Sequence, residues 1–153
     1  TIRIRFVGHE KKGGEVAKEI LNRLKISSKE KNKVVDVIAN HMLPFQAKQM
    51  KLSTLKKLVG SPTFDLLLEL HRIDGLGSKG LLDSYKFLSK KREEFSNKII
   101  LPQRLISGND LKKLDIVDGL EIKKILNEVY DLQLNEILSS YDEAIKWVKQ
   151  QYC

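Results

Sequence analysis

Residues 6–27, FVGHEKKGGEVAKEILNRLKIS, run from a His-Glu pair through two glycines straight into an amphipathic helix, and the reading of that helix decides the fold. Apolar Val16, Ala17, Ile20, Leu21 and Leu24 fall on one stripe at helical spacing, while Lys18, Glu19, Asn22 and Arg23 fall away from it. Such a stripe has to bury against neighbouring helices, so the stretch predicts an all-α fold. Only TIRIRFV, residues 1–7, alternates in the strand period, and at the end of the chain a severed connection fits it equally.

Downstream, helix signals follow one another. Ser27-Ser28 precedes a helix over about 29–42, with Val34, Val37, Ile38 and His41 at helical spacing and Pro44 marking its end. A short helix around 45–50 and another over about 53–58 follow, the latter capped by Ser53 or Thr54 and stopped by Gly60. Pro62 suits the first turn of the next helix, whose Phe64, Leu66, Leu67, Leu68, Leu70 and Ile73 nearly encircle it and predict a buried centre. Gly75, Gly77 and Gly80 then break the chain before a long helix that ends near Ser96. NKIILPQRLISGND reads as an extended connection, placing a boundary near residue 100. The expected architecture is a helical body, 1–100, followed by a small helical tail, 101–153, with helices over 110–114, about 120–133 and 141–151.

The chain of 153 residues is 41% hydrophobic and 31% charged, enough for a real core. The single cysteine, Cys153, excludes an intrachain disulfide and is compatible with a reducing, cytoplasmic location. No apolar run approaches the roughly 18–20 residues that a membrane span needs. The net charge of +8 is unevenly spread: residues 1–60 hold 14 Lys or Arg against 5 Asp or Glu, while residues 61–153 hold 14 against 15. A cationic excess on one side attracts polyanions through counterion release. Aromatic residues are few and not interleaved with basic ones, which favours contact with the backbone of folded RNA over a stacking platform for single strands.

Nucleotidyl transfer needs a Gly-Ser turn for a triphosphate and a pair of aspartates, one residue apart, for two magnesium ions. Gly60-Ser61 and Gly77-Ser78 are present, but no Asp-x-Asp pair follows either, and they read as a helix stop and a loop. The sequence contains no P-loop and no G-x-S-x-G elbow. The chain is therefore expected to carry no active site and no cofactor of its own.

LPQRLISGNDLKKLDIVDGLEIKKILNEVYDLQLNEI, residues 101–137, resembles the tail segment of bacterial tRNA nucleotidyltransferases, where a Gly-x-Asp-Leu turn opens one helix and a Pro-Gly turn the next. Gly108, Asp110 and Leu111 match the first element and Gly119 the second; Asp115 stands where the family usually has glycine, and Asp118 where it has the proline. HRIDGLGSKGLLDSYKFL, residues 71–88, and the opening FVGHEKKGG are similar to the preceding parts, in the same order. The resemblance to the tRNA nucleotidyltransferase and poly(A) polymerase family covers nearly the whole chain. It implies an HD-related helical body and a tail that grip tRNA or other RNA 3′ ends, while an N-terminal catalytic head of the same polypeptide adds nucleotides with Mg2+ and ATP or CTP. Whether the parent adds CCA, CC, A or poly(A) is, by the same resemblance, set in the head and neck. Thr1 in place of an initiating methionine fits either simple trimming or an internal fragment.

His9, His41 and Asp74 resemble the later members of the HD superfamily's metal-binding set, whose adjacent His-Asp pair this sequence lacks, and are expected to be vestigial. His71 is placed to pair with Asp74. Helix starts at Gly13-Gly14, Asn109 and Gly119, each near paired lysines, suit phosphates, which singles out Lys11, Lys12, Lys112, Lys113, Lys123 and Lys124 as backbone contacts. Aspartates 115 and 118 set negative charge beside two of those starts. Two other classes compete: a metal-dependent phosphohydrolase of the HD type, and a helical module binding protein through apolar grooves.

Overall fold

The computed structural model describes residues 8–77, 82–96 and 99–153; TIRIRFV and the positions Ser78 and Gly80 lie outside the described residues. The described chain is all-helical, with no strand. Its elements are α1 (His9–Arg23), α2 (Ser28–Asn40), a 3₁₀ helix (Leu43–Gln49), α3 (Leu52–Val59), α4 (Phe64–Gly77), α5 (Asp83–Ser96), α6 (Gly108–Lys112), α7 (Gly119–Leu134) and α8 (Tyr141–Tyr152). They form two compact units: one of the residues up to Gln49 with Ser61–Phe95, the other of Met50–Gly60 with Ser96–Cys153. Met50–Gly60 thus lies on the amino-terminal side of the expected boundary near residue 100 yet belongs to the second unit.

In the first unit α1 packs along α2. Its line of contact is set by small residues. A Cβ on Gly13 would stand 3.3 Å from Ile38 Cγ2, and one on Gly14 would stand 3.4 Å from Ala39 Cβ, so the glycines let the two helices approach closely. Gly14 is buried, with Ala17 and Leu21 half-buried on the same side, whereas Val16, Ile20 and Leu24 are exposed. The apolar stripe is therefore buried only along one flank, because the packing face centres on the glycines rather than on the stripe. Gly8, at φ 81, turns the chain into α1. Ser27 caps α2 by accepting the Glu30 N–H at 3.3 Å, and its hydroxyl donates to the Glu30 carboxylate at 2.7 Å.

Helix α4 starts at Phe64, two residues after Pro62, and runs through Gly75, which does not break it, to end at Gly77. It is not encircled: Phe64, Leu67, Leu68, His71 and Gly75 form its buried face, while Leu66, Ile73 and Leu76 are exposed. Val37, Pro44, Ala47, Thr63 and Leu88 are also buried in this unit.

In the second unit Leu111, Ile125, Val129, Ala144 and Val148 lie at the centre of a core built by α6, α7 and α8, joined by Ile106, Ile116 and Leu138. Short α3 packs against α7. Neither Ser53 nor Thr54 caps it; Lys51 holds the cap position without a side-chain bond, and the Ser53 N–H donates instead to Asn135 Oδ1 at 2.8 Å. Lys56 Nζ reaches the Leu134 carbonyl at 2.9 Å and Glu136 Oε1 at 2.9 Å. The end of α7 thus satisfies an orphan donor at the start of α3. The connection 102–105 is fastened to α7: Gln133 Nε2 donates to the Gln103 carbonyl at 2.8 Å, and Tyr130 Oη donates to the Pro102 carbonyl at 3.1 Å.

Candidate nucleic-acid interface

All six lysines singled out above are exposed: Lys11 and Lys12 in the first unit, and Lys112, Lys113, Lys123 and Lys124 in the second. Three have local partners. Lys12 Nζ donates to Glu15 Oε2 at 3.0 Å, which raises its pKa; Lys113 lies 3.6 Å from Asp110 Oδ1; and Lys124 sits 5.7 Å from the centroid of the Tyr152 ring. The Tyr152 hydroxyl donates to Glu128, whose carboxylate pushes the phenol up to about 12.

The helix starts differ from their expected form. Gly13 and Gly14 are not a helix start: α1 begins at His9, and both glycines face α2. At α6 the Asp110 carboxylate accepts the Ser107 N–H at 2.9 Å and the Ser107 hydroxyl at 2.6 Å. The Ser107 hydroxyl, then its N–H and Lys113, hold Asp110 below the usual carboxylate range. At α7 Asp118 is the cap, and its Oδ1 accepts the N–H groups of Leu120 at 2.9 Å and Glu121 at 2.8 Å. Those two donors are consumed by a carboxylate, so the start of α7 is not a ready anion site. Asp115 takes the left-handed conformation that ends α6, φ 61, which an aspartate tolerates better than most residues. One groove nevertheless brings the two starts together, with Ser107, Asn109, Lys112 and Gly119 on its walls.

The structure sets His9 and His41 in direct contact, Nε2 to Nε2 at 3.1 Å. His41 Nδ1 lies 2.6 Å from the Ile38 carbonyl, an oxygen that can only accept, so Nδ1 carries a proton, and in the neutral imidazole His41 Nε2 then accepts from His9. Asp74 does not join them: among the described residues no group of three or more His, Cys, Asp or Glu is placed to hold a metal ion. His71 makes no hydrogen bond to Asp74. It is 1% exposed, and neither ring nitrogen has a hydrogen-bond partner. The Phe45 ring meets it edge-on at 4.4 Å between centroids. Burial pushes the His71 pKa down, and the Asp74 charge offsets part of that.

Sequence reading passed over a cleft between α2 and the lead-in to α4, whose walls include Lys29, Asn32, Lys33, Asp36, Ser61 and Thr63. The available signal was a pair of lysines one helical turn apart on α2; the Ser61–Thr63 turn opposite them comes from a distant part of the chain. Among the described residues no helix is long and apolar enough to cross a membrane. No family model, no curated protein and no solved structure matches the chain.

Proposed function

We propose that this chain holds RNA by its phosphate backbone, as the body and tail of a tRNA nucleotidyltransferase or poly(A) polymerase whose head adds CCA, CC, A or poly(A). Its expected partners are tRNA or other RNA 3′ ends. The observation that carries the reading is the placement of the basic excess: residues 1–60 hold 14 cations against 5 carboxylates, and the lysines singled out in both units are exposed. Surface cations of this kind position a polyanion without reading its sequence. Tested with tRNA, the chain is expected to bind with a log-log salt slope on the order of −3 to −5, as for about four to six neutralised phosphates. Lys11→Ala with Lys12→Ala should weaken all tRNAs about equally and flatten the slope by roughly one to two units. Binding that is absent, or indifferent to salt, overturns the reading; salt-indifferent capture of a protein would instead favour an apolar interaction module.

The contact between His9 and His41 favours a second reading, the HD-type phosphohydrolase. Two nitrogens bound to one zinc at about 2.0–2.1 Å each stand roughly 3.3 Å apart in a tetrahedron, close to the 3.1 Å observed. The Nδ1–H bond to a carbonyl is also how a ligating imidazole is oriented. Two imidazoles alone hold a metal poorly, so elemental analysis of the purified protein is expected to find no stoichiometric transition metal. One equivalent, lost in His41→Ala, would move the assignment to the phosphohydrolase.

A further inference from the structure

Helix α2 carries Lys29 and Lys33 one turn apart, with Asn32 between them, and all three are exposed. They line the cleft whose opposite wall is the turn Ser61–Thr63 leading into α4. Neither lysine is paired with a carboxylate among the described residues, unlike Lys12 with Glu15, Lys57 with Asp131 or Lys91 with Glu94. The acidic side chain in the cleft, Asp36, is tied back: one oxygen accepts from the Thr63 hydroxyl and the other from Asn40 Nδ2 at 2.9 Å. The 14-residue helix α4 points its amino end, the positive end of its dipole, toward the same turn.

The geometry points to a phosphodiester-binding cleft: we infer that Lys29, Lys33, Asn32 and Ser61 hold the sugar-phosphate backbone of the bound RNA, an inference that rests on the RNA-holding function proposed above. Two ammonium groups, an amide and a hydroxyl on the walls of the cleft, which also include Pro62, supply the donors that phosphate oxygens accept from. Among the described residues no aromatic side chain lines the cleft, so bases are not stacked on it by these residues. The Asp36 carboxylate on the same walls suits singly charged diester phosphates better than the dianion of a terminal phosphate.

The test measures tRNA affinity against salt for the whole chain, for Lys29→Gln with Lys33→Gln, and for the charge-matched control Lys146→Gln with Lys149→Gln on α8, with circular dichroism confirming helix content in each. Loss of the cleft lysines should weaken binding about tenfold or more at 0.1 M salt and flatten the slope by roughly 1.4–1.8, at 0.7–0.9 per phosphate. Ser61→Ala, which removes a neutral donor, should weaken binding by a few-fold with the slope unchanged. The control should change either quantity much less. If the parent binds with a steep salt dependence and the cleft variant matches it, or the control loses as much as the cleft variant, the cleft is wrong while RNA holding stands. If the parent shows no salt-dependent binding, RNA holding fails and the cleft falls with it.

Discussion

Leu111→Ala is expected to lower the unfolding free energy of the unit formed by Met50–Gly60 and Ser96–Cys153 by about 2–5 kcal/mol. Leu111 is fully buried, packed in one cluster with Ile106, Ile116, Ile125, Val129, Leu138, Ala144 and Val148. Helix α6 is five residues long, too short to be helical on its own account, so its position depends on this side chain. Truncation loses the transfer energy of the removed methyl groups and leaves a cavity whose walls, on α7 and α8, are held by longer helices and do not collapse into it. Since domains are stable by only about 5–15 kcal/mol, the loss should be visible as a large fall in the urea midpoint at nearly unchanged slope. A loss below about 0.5 kcal/mol would mean that Leu111 is not enclosed as described.

His71→Leu is expected to stabilise the first unit by about 1 kcal/mol near pH 7.5 and by more at pH 5.5. Two buried ring nitrogens without partners cost on the order of 1–3 kcal/mol in lost solvation, which a leucine removes, while the edge contact with Phe45 is worth about 0.5–1.5 kcal/mol in return. The pH dependence follows from linkage. Burial lowers the folded-state pKa below the ordinary 6.5, so near and below pH 6.5 the unfolded chain takes up a proton that the folded chain resists. The parent's stability is therefore complete above pH 6.5 and falls as the pH drops from there toward the lowered folded value. The leucine variant lacks this component, and the two curves should diverge on acidification. Urea unfolding at both pH values measures this; equal pH dependence in parent and variant would show that His71 finds a proton partner in solution.

Much of the fold was legible because local chemistry and tertiary packing agree there. Ser27 with Glu30, Asp118 before Gly119, and Ser140 with Glu143 are caps written in adjacent residues, and α2, α7 and α8 begin there. The failures share a cause. Gly13-Gly14 has no hydropathy to register in a periodicity, yet it defines where α1 meets α2, which is why Val16, Ile20 and Leu24 were assigned to the wrong side of that contact. Gly75 and Gly77 look like breakers, and Gly75 is instead buried inside α4. The partner of Ser53 lies 82 positions away at Asn135, beyond any local signal. At the candidate interface the same limit holds. Exposure of the lysines follows from their type, but the capture of the α7 N–H groups by Asp118 depends on how its carboxylate folds back. That Lys29, Lys33 and Ser61 line one cleft depends on α2 and α4 meeting.

The membership of Met50–Gly60 in the second unit bears on the order in which the chain can mature as it leaves the ribosome. Helix α3 emerges early, but the groups that complete it, Asn135, Leu134 and Glu136, are made some 80 residues later, so Leu55, Leu58 and Val59 wait uncovered through much of synthesis. Contacts of such sequence separation form slowly, because a long loop must close before they reward it. Among the described residues, every piece of the first unit has been translated by Phe95, so that unit is free to consolidate while α3 is still held open. The interval between those two events is when this protein is most exposed to aggregation and to chaperones.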